Sequence, residues 1–432
     1  MAEPRTGPLL VSVRATLVVL LVTTAVLQLG GGLVGTLLGV RASLEAFPTS
    51  ATGLVMSAYF AGFILGAFLC TRIVAEVGHI RAFAAFAAVS TAMALAHVVW
   101  IGVLPWAVFR FVHGIALVGL ALIIESWLNA KAEPATRGSV FATYMVVNLS
   151  ALAVGQLLLT TGEAESFELF AVVAILFALS LVPTALVQVR TPVPHEPTGL
   201  SLAELLRRSP TAVGGCFVVG LAGGGFWGMA PVMVTELGYD EDRTALFMFA
   251  AILGGMLLQL PIGRFSDGRD RRRVLVAVAA LGALSGLAVM LASAAPFGAL
   301  AAAALAFGAF KFPLYGLAVA RAHDRLRPEQ ALEATRGLML VFGIGAAIGP
   351  FLAGLVMGAL GPAALFGWFA LILAALAAFA TYRVAVTERL APAEQTTFAP
   401  IFATSQEAVE LTEPVGAAAT GDGRGPDRSA AP

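Results

Sequence analysis

Residues 52 to 62, TGLVMSAYFAG, align without gaps to residues 244 to 254, TALFMFAAILG, and the same displacement carries Arg72 onto Arg264 and Arg81 onto Arg273. Further along, FRF at 109–111 recurs as FKF at 310–312, and ATRG at 135–138 recurs at 334–337. Single matches arise by chance, but a colinear series of them marks an internal duplication. The repeated stretches lie six apolar segments apart. An even number preserves the direction of crossing, so the two copies have the same orientation in a membrane. Parallel six-helix repeats about an axis along the membrane normal, with a substrate site at midplane between them, are one of the recurrent transporter architectures.

That a membrane is involved follows from composition. The 432 residues are 59% hydrophobic and 12% charged, with a mean hydropathy of +0.90, whereas a soluble domain carries about 25% charged residues. Too little polar surface remains to coat a soluble globule, which excludes a soluble enzyme. Lys plus Arg and Asp plus Glu number 26 each, so no global basic field exists to hold nucleic acid. Cys70 and Cys216 lie in apolar runs without CxxC spacing, which gives neither a disulfide framework nor a thiolate metal site.

A spanning helix needs about 20 apolar residues. Twelve such stretches are expected, near 15–40, 51–72, 82–103, 106–129, 139–161, 167–188, 211–236, 244–263, 274–294, 296–321, 337–358 and 363–384. The all-α chain therefore divides into an N-terminal half (1–188), a linker (189–210) with a short amphipathic helix near 200–208, a C-terminal half (211–386) and a polar tail (387–432) expected to be disordered. Lys and Arg concentrate in cytoplasmic loops. Placing the N-terminus inside puts 22 of the 26 basic residues on that side and leaves Arg41 and Arg243 in outer loops. Both termini are thus expected in the cytoplasm. Arg110 and Lys311 remain within spans.

GRFSDGRDRRR (263–273) resembles the loop pattern GxLaDrxGrk of the major facilitator superfamily, with Gly263, Asp267, Arg271 and Arg272 on its marked positions and Asp270 in place of the second glycine. The first-half loop, TRIVAEVGHIR (71–81), keeps Gly78 and Arg81 but has Thr71 and Ala75 where Gly and Asp are expected. RFVHG (110–114) matches the RxxxG element, and IIESWLN (123–129) is similar to a signature of the YcaD-like bacterial branch. The resemblance covers about residues 12 to 385. It implies the twelve-helix fold, secondary transport of a small molecule by alternating access, and a multi-pass monomer in a bacterial inner membrane. It also implies a cytoplasmic gate at Gly263, Asp267, Arg271, Arg272, Arg81 and Arg137. No cofactor or metal is implied.

An ionised side chain inside a membrane is costly unless it faces water or a partner. Arg110 is therefore either a cavity cation or a snorkelling interfacial one. Lys311, at the repeat position of Arg110 and far from either end of its span, points to an aqueous cavity. Two cavity cations without a midplane acid favour an organic anion. His113, three residues from Arg110, is either a proton acceptor or a packing histidine. Glu125 is either a gate partner of Arg137, Arg72 or Lys131, or a proton site. The triplets Gly30, Gly31, Gly32 and Gly223, Gly224, Gly225 stand at matched places in spans 1 and 7. They read as helix breaks at a transporter site or as close-packing contacts. Gln28, Tyr59, Asn148, Gln156 and Trp227 are candidate polar and stacking contacts.

GIGAAIGPFLAG (343–354) resembles the glycine-proline motif of facilitator antiporters, although it stands in span 11 rather than span 5, so efflux by antiport is one reading and a kinked, close-packed helix the other. No Walker A, HExxH or GxSxG motif occurs, so a gradient-driven, proton-coupled transporter and not an enzyme is expected. The alternatives are a non-transporting membrane sensor or scaffold, and a lipid flippase, on the same fold.

Overall fold

The computed structural model describes residues 13–132, 136–185, 201–327, 330–386, 395 and 398. They form helices α1 (Val13–Leu44), α2 (Thr49–Val77), α3 (His79–Val99), α4 (Val103–Lys131), α5 (Arg137–Leu157, extended by a 3-10 turn Leu158–Thr161), α6 (Phe167–Ala185), α7 (Leu202–Arg208), α8 (Pro210–Glu236), α9 (Glu241–Ser266), α10 (Arg271–Ala292), α11 (Phe297–Lys311), α12 (Pro313–His323), α13 (Ala331–Leu360) and α14 (Ala364–Val386). Among the described residues twelve segments are long and apolar enough to cross a membrane, α11 and α12 together making one. Most lie within a few residues of the expected limits, and helices rather than strands are required because a spanning segment must satisfy its own backbone polar groups.

Local chemistry sets the helix ends. Ser201 caps α7 by accepting from the Glu204 N–H at 3.2 Å, and Asp240 caps α9 by accepting from the Arg243 N–H at 2.9 Å. The tight turn between α2 and α3 is made at Gly78, whose φ of 84° suits a residue without Cβ. Pro313 has no N–H to continue the ladder. It divides span 10 into α11 and α12 and leaves Lys311 on the last turn of α11.

The duplication read from sequence is repeated in the packing. In the first half α1 packs on α5, α2 on α4 and α3 on α6; in the second, α8 packs on α13, α9 on α11 and α10 on α14. Between membrane helices small residues permit close backbone approach. A Cβ on Gly62 of α2 would run into the Phe111 carbonyl of α4, and one at its repeat position, Gly254 of α9, would meet the Leu305 carbonyl of α11 in the same way.

Twelve crossings return the chain to the end at which it started, called here the termini end. At the opposite, far end the halves are in contact. The Phe351 N–H of α13 donates to Ser57 Oγ of α2 at 3.1 Å, the Thr49 hydroxyl donates to Glu236 Oε1 at 3.1 Å, and Gly53 lies against the Pro350 carbonyl.

Two expectations are corrected. Both glycine triplets lie inside unbroken helices: α1 runs through Gly30–Gly32 and α8 through Gly223–Gly225. Their absent side chains serve packing. Gly30 faces Phe177, Gly32 the Leu152 carbonyl, Gly224 the Ala346 carbonyl and Gly225 the Phe369 ring. The intact i→i−4 ladder in a low-dielectric setting outweighs the weak helix propensity of glycine. In the tail expected to lie free, Gln395 and Phe398 are packed against the C-terminal half, Phe398 being only 7% exposed. Apolar contact and two hydrogen bonds fix them where composition alone suggested no order. The remainder of the tail and linker residues 189–200 lie outside the described residues.

Candidate functional site

Nine helices, from both halves, line a cavity of ≈ 210 Å³. The first half contributes Gln28, Gly31, Gly32, Thr36, Tyr59, Arg110, Asn148 and Gln156; the second contributes Trp227, Gln259, Lys311, Phe312, Tyr315 and Phe342. Polar atoms converge on an otherwise aromatic and aliphatic wall, as is usual for small-molecule sites. Among the described residues its wall carries Arg110 and Lys311 and no Asp or Glu.

Arg110 is 6% exposed and Lys311 4%. The Arg110 guanidinium carbon stands 4.4 Å above the Tyr59 ring, and Lys311 Nζ stands 4.2 Å from the Phe312 ring centre, with Phe226 at 5.2 Å and Trp227 at 5.7 Å. Neither forms an ion pair among the described residues, and Arg110 Nε has no hydrogen-bond partner there. A ring face supplies about 2 kcal/mol to a desolvated cation, well short of the several kcal/mol that removing an ion from water costs. The balance is restored when an anion or water occupies the cavity. The interfacial reading of Arg110 gives way to this placement, because its guanidinium turns into the bundle.

The carboxamides are oriented by one another. Gln28 Nε2 donates to Asn148 Oδ1 at 2.8 Å, linking α1 to α5. Gln156 Nε2 donates to the Gly32 carbonyl at 2.9 Å while its Oε1 accepts from the Thr36 hydroxyl. Gly32 lets α5 come close enough for that pairing. Rotamers fixed by such bonds present the free lone pairs and N–H groups in one arrangement, which reduces the ordering cost of binding.

Other expected residues stand away from the cavity. His113 is fully buried beside it, its ring edge-on to Phe177 at 5.2 Å and to Tyr59 at 6.3 Å, and neither ring nitrogen has a hydrogen-bond partner among the described residues. Glu125 is 1% exposed nearer the termini end and accepts from the Tyr144 hydroxyl at 3.1 Å. Of the triplets, Gly31 and Gly32 reach the wall, and Gly223 lies behind it with a Cβ position 3.8 Å from Lys311 Nζ.

The expected gate loop is organised within the second half. Arg271, 1% exposed, donates to Asp324 Oδ1 at 2.6 Å, Asp267 Oδ1 at 2.8 Å and the Ala320 carbonyl at 3.2 Å, joining α9, α10 and α12. Arg272 holds Asp270 through Nε at 3.0 Å and Nη2 at 2.9 Å. Burial works to raise the Asp270 carboxyl, but these bonds outweigh it and hold it below its ordinary range. Gly263 lies under the Phe398 ring. Arg81 is exposed and forms no ion pair among the described residues, and the Arg137 side chain lies outside them. The described bonds of Asp267, Arg271 and Arg272 thus brace one half rather than bridge the two.

Gln259, Tyr315, Phe312, Phe342, Phe60 and Phe63 also line the cavity and were not singled out. Gln259 had a signal, a lone amide inside the apolar run LLQLPIG. The four phenylalanines had none, since aromatic residues fill most of these spans.

The family model described as Major Facilitator Superfamily matches residues 212–415. Curated relatives include "Uncharacterized MFS-type transporter YcaD" of Escherichia fergusonii, 26% identical over 336 residues, covering 77% of this chain and 86% of the relative. The protein of the same description from Shigella flexneri is 27% identical over the same shares. Among solved structures, nucleoside transporter NupG superposes with a TM-score of 0.69 at 14% identity, covering 86% of this chain and 100% of the other. The D-xylose-proton symporter gives 0.62 at 15% identity, covering 84% and 96%. The human organic anion transporter MFSD10 gives 0.60 at 14%, covering 88% and 100%. At these identities the structures speak for the fold alone.

Proposed function

We propose that the chain, similar over residues 212–415 to the Major Facilitator Superfamily model and over 336 residues to the YcaD relatives, is a secondary transporter of that kind that moves a small organic anion through the cavity between its halves. The observation that carries the anion reading is the pairing of Arg110 and Lys311 in one wall without a carboxylate. A cationic solute would meet two like charges at close range, a repulsion of several kcal/mol at an effective dielectric near 20. A neutral solute would leave both cations uncompensated. Tyr59, Trp227, Phe312, Tyr315 and Phe342 favour an anion that carries a ring, since offset or edge-on ring contacts add about 0.5–1.5 kcal/mol each.

The transport cycle follows from the contacts. The halves touch at the far end, so the solute exchanges through the termini end in this state and reaches the other side when the contacts of α2 with α8 and α13 open. The basic residues support placing the termini end in the cytoplasm of a bacterial cell, with a single chain as the working unit. No nucleotide-binding motif occurs in the sequence. A proton gradient is the proposed drive, with Glu125 and its Tyr144 partner the acid inside a span that can carry the proton.

Proteoliposomes tested with labelled aromatic carboxylates, with and without an imposed pH gradient, decide the matter. Gradient-dependent accumulation supports the reading. Accumulation of amines or uncharged sugars in preference to carboxylates contradicts it.

A further inference from the structure

Phe398 stands in line with the cavity. On α9, Ile252, Met256, Gln259 and Gly263 recur at helical spacing and share one face. Ile252 of that stripe packs with Leu149 and Ala153 of α5, Met256 Sδ accepts from the Ser150 hydroxyl at 3.5 Å, and Gln259 lines the cavity. Gly263 is the next position toward the termini end. On α12, Gly316 follows the cavity residue Phe312 by one turn. The Phe398 ring covers both glycines. A Cβ on Gly263 would collide with it, and one on Gly316 would come within 3.0 Å.

Two polar contacts, both on its N-terminal side, hold the ring. The Phe398 N–H donates to Asp267 Oδ1 at 2.9 Å, the same oxygen that Arg271 engages, and Gln395 Nε2 donates to the Arg269 carbonyl at 2.8 Å. Gln395 and Phe398 are therefore held to the α9–α10 turn, and the Phe398 ring occupies the second half's side of the passage.

The first half shows what that ring keeps apart. Ser150, Val146 and Thr143 form one face of α5. Ser150 touches Met256, but Val146, one turn toward the termini end, is 47% exposed, and Thr143 is exposed too. The α5 and α9 stripes thus meet at midplane and part below it. Closing the termini end would bring Val146 and Thr143 toward Gly263, into the space Phe398 fills.

We propose that Phe398, held by its own N–H and by Gln395, is an autoinhibitory wedge. Docked, it holds the termini end open and so keeps the far end closed; released, it allows the halves to rock. The inference rests on the alternating-access reading above. A side chain that binds one of two states shifts the equilibrium by its differential affinity, and Phe398 is buried in this one.

The test uses the full chain in liposomes with Cys70→Ala and Cys216→Ala, and Ser57→Cys as a reporter of far-end opening. Adding Phe398→Ala should raise the rate of Ser57→Cys labelling by a membrane-impermeant maleimide about threefold or more. Adding instead Gln395→Cys and Arg269→Cys, then oxidising, should form a disulfide and slow labelling below the parent's rate, with recovery on reduction. Unchanged or slower labelling in Phe398→Ala overturns the proposal. So does absence of the disulfide, or its formation without effect on labelling. The second pair keeps the test decisive if Phe398→Ala fails to fold. Absence of gradient-driven uptake would count against transport itself and is read separately from the labelling.

Discussion

Arg110 and Lys311, on the fourth span of each half, enter one cavity from the two halves and meet aromatic faces there but, among the described residues, no carboxylate. On the proposed anion reading, each charge costs stability in the resting protein and gains a partner on binding, so the two residues should separate transport from folding. Lys311→Met should leave the purified protein monodisperse with an equal or higher melting temperature, because a buried charge replaced by an apolar side chain of similar volume is often neutral or stabilising. Gradient-driven uptake should fall about tenfold or more, equivalent to roughly 1.4 kcal/mol. A wild-type rate in Lys311→Met would remove the residue from the mechanism.

Arg110→Lys distinguishes charge from shape. A guanidinium can hold a carboxylate or phosphate through two parallel bonds, and an ammonium cannot. The conservative change should therefore reduce uptake severely if a bidentate contact is made, and mildly if only the charge counts. Comparing its rate with that of Arg110→Gln reads the difference.

Around Arg271, stability should depend unequally on its two carboxylates, Asp324 after α12 and Asp267 in the α9–α10 turn. Asp324 is fully buried against Arg271, whereas Asp267 is 29% exposed. Removing one partner of a buried pair costs about 3–5 kcal/mol. Asp324→Ala should accordingly lose most of its yield or melt far lower, while Asp267→Asn should cost less than about 1 kcal/mol, as an exposed pair does. Equal losses on a thermal-unfolding curve would contradict this assignment.

Cavity glycines and packing glycines make a matched pair of tests. Gly35 lines the cavity with open space at its Cβ position, whereas a Cβ on Gly114 meets the Tyr59 carbonyl. Gly35→Leu should give well-folded protein that no longer binds. Gly114→Leu should fail to accumulate, because α2 and α4 cannot separate without loosening Tyr59 and Arg110. Size-exclusion profiles and ligand-dependent melting separate the two outcomes.

Topology has its own check. Reporter fusions at about Pro362, in the far-end turn before α14, and at the C-terminus should score on opposite sides of the membrane, with the C-terminus cytoplasmic. Matching sides would contradict the twelve crossings and the charge-based orientation together.

The spans, the duplication and much of the cavity wall were legible in the sequence, for a common reason. Solvation in hydrocarbon penalises each polar group heavily, so a lone Gln28, Asn148, Gln156, Arg110 or Lys311 in an apolar run stands out. The glycine triplets misled because the same residue that permits unwinding also permits close packing, and only the partner helix shows which applies. Gly32 against α5 and Gly224 against α13 settle that in three dimensions. The gate loop was recognised by its spacing, but its direction was not: Arg271 turns to Asp324 in its own half, 53 positions away in the chain. Phe398 could not have been found, because nothing in a polar tail tells that one phenylalanine will seat on Gly263 and Gly316.

The measurement that tests the account most directly is the thermal stabilisation of purified protein by an aromatic carboxylate and by its primary amide of the same shape, in wild type, Lys311→Met and Arg110→Gln. Stabilisation grows as RT ln(1 + [L]/Kd), so at millimolar ligand even weak binding registers. The account predicts that the carboxylate raises the melting temperature of wild type, that the amide does not, and that either substitution abolishes the difference. Equal stabilisation by the amide, or an unchanged response in both variants, would contradict the anion site between the halves.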